Sequence, residues 1–188
     1  MATRFWMLLA LLICLPADAA EVAGVKFDDT TQVSGTALKL NGAGLRKRAF
    51  FQVYAMGLYL PEKKTAAADA IGAAGPKRVA IHMLRDVDAD TFTEALVDGM
   101  RPNHDEATMK ALEPRIAQLS AIMGELKEAK EGMNIALDLV GSETRILING
   151  KQAGRAIAGE DFYRALLRVW LGENPVQDDL KKSLLGGG

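Results

Sequence analysis

The sequence predicts an α+β fold with a mainly antiparallel β-sheet. Predicted strands come first, followed by helices, a second group of strands and further helices, an order typical of this class. The Asn149-Gly150 pair lies between two apolar runs and is a strong hairpin signal. The 188 residues are 49% hydrophobic and 25% charged, as in ordinary globular domains. We therefore expect one domain over residues 20–188.

The N-terminus has the pattern of a secretory signal peptide. Basic Arg4 precedes an apolar run at residues 5–15, and a small-residue cleavage site follows at residues 17–19. The run is too short to cross a bilayer core of about 30 Å as a helix. Residues 1–19 are therefore predicted to be cleaved, leaving no stable membrane span. Cleavage would also remove Cys14, the only cysteine, so the mature protein would contain no disulfide.

Hydrophobic periodicity predicts the strands. The run AFFQVYAMGLYL (residues 49–60) is apolar on both alternating faces, so this strand should be central and covered on both sides, with Phe51 as a packing residue. RVAIHMLRDV (residues 78–87) is also apolar on both faces, and MNIALDLV (residues 133–140) alternates with a period of two.

Helices are predicted from caps and helical spacing. Thr91 with Glu94, and Asn103 with Glu106, fit capping boxes that would open two helices. The second helix carries an apolar stripe that Pro114 interrupts, which indicates either a kink or the start of a new helix. EDFYRALLRVWLG (residues 160–172) and VQDDLKKSLLG (residues 176–186) predict two closing helices.

Several classes of function lack their usual patterns. The two histidines, His82 and His104, lie in different predicted elements, so no zinc site is predicted. No phosphate-binding loop or serine-nucleophile motif is found, and no cofactor is expected. The net charge of −1 does not suggest a nucleic-acid partner.

Two stretches resemble the chalcone-isomerase-like family. In the first, GAGLRKRAFFQVYAMGLYLP (residues 42–61), a glycine-rich turn leads to an arginine and then to a long strand that ends in Gly-aliphatic-Tyr-Leu. The second is similar to that family's closing helix, Gly-x-Asn-x-Val turn and final short helix, and reads FYRALLRVWLGENPVQDDLKKSLLG (residues 162–186). The likeness covers residues 21–188 and is to the bacterial, secreted branch. It implies a sheet backed by a layer of helices, a ligand cleft between them, and a periplasmic location.

The resemblance also implies a set of ligand-binding residues. Arg46 matches the arginine that steadies an anionic substrate in the enzymes, or pairs with a lipid carboxylate in fatty-acid-binding members. Tyr54 stands where the enzymes have a catalytic threonine. The enzymes also place a tyrosine and an asparagine on the helical layer, and here Asn103 is the only asparagine in that region. Val169 and Trp170 occupy the two positions before the final glycine that set specificity in the enzymes. From the residues alone, Arg46 could equally be a solvated arginine at a strand start.

The other site residues also have two interpretations. His82 either is a core histidine or lines the cleft. Tyr54 either faces the cleft, on the same strand face as Arg46, or is a core tyrosine with a backbone partner. Trp170 is either a core anchor or a pocket wall. Asn103, together with His104, is interpreted from its position as a helix cap.

These substitutions argue against chalcone isomerase activity, because aligned hydroxyl and amide donors are missing. One arginine among apolar residues better suits the binding of a fatty acid or another amphipathic apolar acid. An isomerase or lyase acting on an enone or phenolic substrate, with Tyr54 as proton donor, is the main alternative. A structural protein with a filled cleft is a third. Catalytic residues and the oligomeric state are not assigned.

Overall fold

The computed structural model describes residues 19–187, so most of the predicted signal peptide lies outside the described residues. The strands are β1 (Ala20–Val22), β2 (Val25–Phe27), β3 (Thr30–Val33), β4 (Thr36–Arg48), β5 (Phe51–Leu60), β6 (Lys77–Met83), β7 (Val87–Asp88), β8 (Glu128–Ala129), β9 (Asn134–Val140), β10 (Glu143–Ile148) and β11 (Lys151–Ala158). The helices are α1 (Ala67–Gly72), α2 (Ala89–Met100), α3 (Glu106–Gly124), α4 (Glu160–Leu171) and α5 (Asp178–Leu184), with a 3₁₀ turn at Arg101–Asn103.

Seven strands form one antiparallel sheet in the order β11-β10-β9-β6-β5-β4-β3. The predicted α+β class and antiparallel sheet are confirmed. The hairpin predicted at Asn149-Gly150 joins β10 to β11, with Ile148 paired to Lys151. Strand β5 pairs with β4 and β6 and is central, as predicted.

The main core lies between one face of the sheet and the helices. Helix α4 buries Phe162, Tyr163, Leu166 and Trp170 against it because these side chains share one helical stripe. Helix α3 continues through Pro114 from Glu106 to Gly124. The helix starts differ from the prediction: Asp88 and Asp105 accept the capping hydrogen bonds, from backbone N–H groups three residues later.

The short hairpin of β1 and β2 contributes to a smaller core on the other face. Phe27 packs there with Leu38, Leu40, Ala55 and Tyr59. The side chains of β5 therefore alternate between the two cores. Tyr54, Met56 and Leu58 lie in the larger core, and Ala55 and Tyr59 lie in the smaller one.

Candidate functional site

The site is built on the hairpin of β4 and β5, where a β-bulge brings Arg46 opposite Tyr54. Arg48 pairs with Phe51 and Lys47 with Gln52, but the next pair is Arg46 with Tyr54, so Val53 is the extra residue. Without the bulge Arg46 would lie opposite Val53, and its side chain would lie on the other face from Tyr54. Arg46 lies near the end of β4 and not at the start of a strand, which was one of its two interpretations from the sequence.

A cavity of about 370 Å³ lies beside this pair. Side chains of β4, β5, α2 and α4 line it, together with the segments after β6 and α4. Its apolar lining consists of Phe51, Val53, Val87, Phe92, Ala95, Leu96, Val169 and Val176. Its polar and charged lining consists of Arg46, Arg48, Tyr54, Arg85, Asp86, Asp88 and Thr91. This composition is typical of small-molecule sites, which are mostly apolar with a few fixed polar groups.

Tyr54 is buried, and its hydroxyl oxygen accepts a hydrogen bond from Trp170 Nε1 at 2.9 Å. Because the indole and the guanidinium of Arg46 are donors only, neither accepts the Tyr54 hydroxyl hydrogen. Among residues 19–187, no acceptor pairs with that hydrogen, so it is available to a ligand. Burial raises the pKa of Tyr54, although the Trp170 hydrogen bond and the charge of Arg46 partly oppose the shift. The group is therefore a neutral donor at pH 7.

Gln177 holds Arg46 and the bulge in place. Its side-chain oxygen accepts from the Lys47 backbone N–H at 2.8 Å and from Arg46 Nη1 at 3.4 Å, and its Nε2 donates to the Leu45 carbonyl at 3.0 Å. Arg46 Nη1 also donates to the Lys47 carbonyl at 2.6 Å. Within the described part of the chain, hydrogen bonds engage only Nη1 of this guanidinium, so its other N–H groups are free to donate.

Helix α5 lies against β4 closely enough to position Gln177, which immediately precedes it. A Cβ at Gly42 would overlap the Ser183 carbonyl oxygen, and one at Gly44 would lie 2.8 Å from side-chain atoms of Leu180 and Ser183. These two glycines allow the helix to approach the strand. Buried Asn41, the extra residue of a second bulge, fixes the same contact by donating to the Leu184 carbonyl at 2.7 Å.

The structure brings together four of the six predicted site residues. Arg46, Tyr54 and Val169 line the cavity, and fully buried Trp170 lies behind Tyr54. Whether they bind a ligand stays a prediction.

His82 and Asn103 lie elsewhere. His82 pairs with Ala55, lies on the opposite face of the sheet and is 2.9 Å from the Asn134 side chain. Asn103 does not cap α3: it donates to the Gly99 and Asn174 carbonyls and accepts from the Asn174 backbone N–H, which joins the end of α2 to the turn after α4.

Sequence reasoning did not identify three residues that shape the site. Phe92 packs edge-on against Tyr54, with ring centroids 6.2 Å apart, and Leu96 lies one helical turn further along the cavity wall. Their spacing on α2 is a signal that could have found them. Gln177 carried no such signal, because its role depends on the bulge in a strand 130 residues earlier.

Neither a group of metal-ligating side chains nor a membrane-spanning helix is found within residues 19–187. No three His, Cys, Asp or Glu side chains within residues 19–187 are grouped so that they could hold a metal ion. Over the same residues, no helix is both long enough and apolar enough to cross a membrane.

Comparisons with known proteins identify the family and the fold. A family model described as chalcone isomerase-like matches residues 19–186. A crystal structure of a fatty-acid-binding protein from Arabidopsis thaliana superposes with a TM-score of 0.68 at 15% sequence identity, covering 86% of this chain and 92% of that one. No curated protein matches the sequence.

Proposed function

The chain belongs to the chalcone isomerase-like family, and on that premise we propose that it binds a fatty acid or another amphipathic apolar acid in the cavity beside β4, β5, α2 and α4. One observation carries the proposal: free N–H groups of Arg46 and the unaccepted hydroxyl hydrogen of Tyr54 lie opposite each other in the cavity, beside a wall of apolar side chains from α2 and α4. A cation and a neutral donor at one position suit a carboxylate.

The residues behind the pair would keep both donors directed at the ligand. Trp170 occupies the Tyr54 oxygen as a donor, so the hydroxyl hydrogen is left for the carboxylate. Gln177 orients Arg46 through Nη1, which leaves the other N–H groups of the guanidinium to donate to a carboxylate oxygen. The half-buried position of Arg46 would strengthen the ion pair compared with one in open water.

The apolar walls would take up the hydrocarbon part of the acid. Phe92, Leu96, Val169 and Val176 lie on the helical side of the cavity, and Val53 lies on the sheet side. Each methylene removed from water contributes about 0.8 kcal/mol. The proposed ligand class is that of the similar Arabidopsis protein, which is a fatty-acid-binding protein. With the signal peptide predicted at residues 1–19, we propose that the protein acts after secretion, in the periplasm.

The enzyme alternative has weaker support. Convergence of Arg46, Tyr54 and His82 on one cavity would favour an isomerase or lyase, but His82 lies across the sheet from the other two. Burial also raises the pKa of Tyr54, so its hydroxyl is a poor general acid or base near neutral pH. The pair is better suited to holding an acid than to transferring protons.

The test combines ligand identification with matched variants. Organic extracts of the protein from its native compartment are analysed by mass spectrometry, and affinity for palmitate is measured by calorimetry. Arg46→Met should weaken binding roughly 10- to 100-fold, since a hydrogen bond to a charged group contributes about 1.5–3 kcal/mol. Tyr54→Phe should weaken it about 10-fold or more, because its hydroxyl would also donate to the charged carboxylate. Arg155→Met, at an exposed arginine of β11 outside the cavity lining, is the control.

An extract from the wild type that contains a stoichiometric acid, lost in Arg46→Met and kept in Arg155→Met, would support the proposal. An empty wild type without measurable palmitate affinity would refute it. Equal losses in the Arg46 and Arg155 variants would also refute it, because the effect would then come from net charge and not from the cavity.

A further inference from the structure

The tip of the β4–β5 hairpin exposes two phenylalanines. Phe50 is 83% exposed and Phe51 is 47% exposed, and they are the exposed large apolar side chains of the described residues. Phe51 was predicted to be a packing residue, and this prediction was wrong because the ring lies at the turn end of β5, where the strand is exposed. The rings are in contact, with centroids 4.2 Å apart, so they form one small apolar surface. We call residues 48–51 the aromatic tip.

The backbone of the aromatic tip holds these rings outward. Ala49 and Phe50 form the two-residue turn between the paired residues Arg48 and Phe51. Ala49 has a φ of 53°, in the left-handed region that such turns normally fill with Gly or Asn. The turn thus uses an unfavourable residue and places a phenylalanine at its most exposed position.

Positive charge surrounds the aromatic tip. Arg48 within the tip and the adjacent Lys47 are exposed, and the Arg85 guanidinium lies 4.4 Å from the Phe51 ring centroid. Over the described part of the chain, no carboxylate lies within 4.0 Å of these three cations.

The two acidic residues of the cavity lining accept hydrogen bonds from the backbone. Asp86 accepts from the Glu131 backbone N–H at 2.8 Å, and Asp88 accepts from the Thr91 N–H at 2.9 Å as the cap of α2. The chain as a whole has a net charge of −1, so the cations at the tip are a local concentration.

We propose that the aromatic tip docks on an anionic phospholipid surface. Aromatic side chains insert at the level of the lipid headgroups while adjacent Lys and Arg residues attract the anionic lipids. Two convex phenylalanines at a turn fit a deformable bilayer interface. They are too few to form the centre of a stable protein interface, which buries about 800 Å² on each partner.

The position of the tip links this surface to the cavity. Arg48 and Phe51 are residues of the aromatic tip, and Arg85 contacts it; all three also line the cavity. A docked protein would therefore hold the cavity at the membrane interface, where an acid could move from the bilayer to Arg46 without crossing open water. Docking itself needs only the tip, so it does not depend on the identity of the cavity ligand.

The experiment measures co-sedimentation with vesicles of phosphatidylcholine alone or mixed equally with phosphatidylglycerol. All variants are expressed and purified in the same way, so that they have the same N-terminus as the wild type. Any lipid affinity of residues 5–15 is then common to all of them. Phe50→Ser should lower the affinity for mixed vesicles about tenfold. Lys47→Glu should lower it roughly fivefold or more, and Lys63→Glu, at an exposed lysine beyond the other end of β5, should change it little.

Phe50→Trp provides a direct probe of insertion. It should retain binding, and its emission should shift to the blue with mixed vesicles more than that of the wild type, because the introduced indole would enter the lipid interface. Trp170 is fully buried and should not respond, and any response of Trp6 would be common to both proteins. Equal sedimentation of the wild type and Phe50→Ser, or equal effects of Lys47→Glu and Lys63→Glu, would overturn the proposal. So would a soluble dimer that Phe50→Ser abolishes, because the tip would then be a protein contact.

The two proposals fail separately. Phe50 lies outside the cavity lining, so Phe50→Ser should keep its palmitate affinity in solution while losing vesicle binding. Tyr54→Phe should lose palmitate affinity while keeping vesicle binding. Vesicle binding without any palmitate affinity would retain membrane docking and remove only the proposed ligand.

Discussion

Lys77 is expected to destabilise the folded protein, so Lys77→Met should raise the free energy of unfolding. The side chain begins β6 at 0% exposure, and its Nζ has no hydrogen-bond partner among the described residues. Its nearest carboxylate oxygen, Glu160 Oε1, is 3.9 Å away and also accepts from Arg164 at 2.8 Å. A buried ammonium with so weak a partner is costly.

The size of the effect at pH 7 has an upper limit. Burial lowers the pKa of Lys77, with Glu160 partly opposing the shift. The charge penalty cannot exceed the cost of releasing the proton, which is about 1.36 kcal/mol for each pH unit between 7 and the ordinary pKa of 10.5, or about 4.8 kcal/mol. Apolar replacements of buried ions stabilise by about 1–4 kcal/mol. We therefore expect Lys77→Met to add about 1–4 kcal/mol.

The pH dependence distinguishes this cause from better packing. A lysine with a lowered folded-state pKa destabilises fully below that pKa, and the penalty falls as pH rises toward 10.5, where the unfolded chain also loses its proton. The advantage of Lys77→Met over the wild type should therefore shrink with rising pH. Urea unfolding at pH 7 and pH 10 measures it, and Lys63→Met is the exposed control. A wild type as stable as Lys77→Met at pH 7, or an advantage independent of pH, would refute the reasoning.

Three further substitutions test buried polar groups and the contact between α5 and β4. Thr144→Val should stabilise by about 1 kcal/mol, since the buried Thr144 Oγ1 has no hydrogen-bond partner within residues 19–187 and valine has nearly the same shape. Gly42→Ala should destabilise by about 2 kcal/mol or more, because its Cβ would meet the Ser183 carbonyl and push α5 from β4. Arg78→Met should cost about 3–5 kcal/mol by leaving buried Asp138 without its two 2.6 Å hydrogen bonds. Urea unfolding at pH 7 measures all three.

Each of the three has its own contrary result. A less stable Thr144→Val would mean that the hydroxyl is satisfied after all. Gly42→Ala with unchanged stability would show that α5 can shift freely, and Gln177 would then not hold Arg46. An Arg78→Met variant rescued to wild-type stability by adding Asp138→Leu would agree with the stated cause, whereas no rescue would contradict it.

Much of the fold could be predicted because its signals are local. An apolar run on both strand faces placed β5 inside the sheet, and the Asn149-Gly150 turn joined β10 to β11, since both signals depend on neighbouring residues. The apolar stripe of α4 was equally clear. The helix starts were less accurate: Asp88 and Asp105, and not Thr91 and Asn103, are the caps.

The site itself depended on pairings between distant residues. Counting odd and even positions along the strands could not show that a bulge at Val53 aligns Arg46 with Tyr54, because the register of strand pairing is set by the whole hairpin. The Trp170–Tyr54 hydrogen bond joins residues 116 positions apart. His82 is assigned to the other face by its pairing with Ala55.

By itself, the sequence determined the element types, the antiparallel α+β class and a short set of residues that included Arg46 and Tyr54. Only the tertiary structure decided which of them share a cavity, which donors remain free, and that Phe50 and Phe51 face solvent. The physical reason is that periodicity reports the alternation of side chains along one element. Which face meets a helix, a second strand or water is decided by register and by packing between elements.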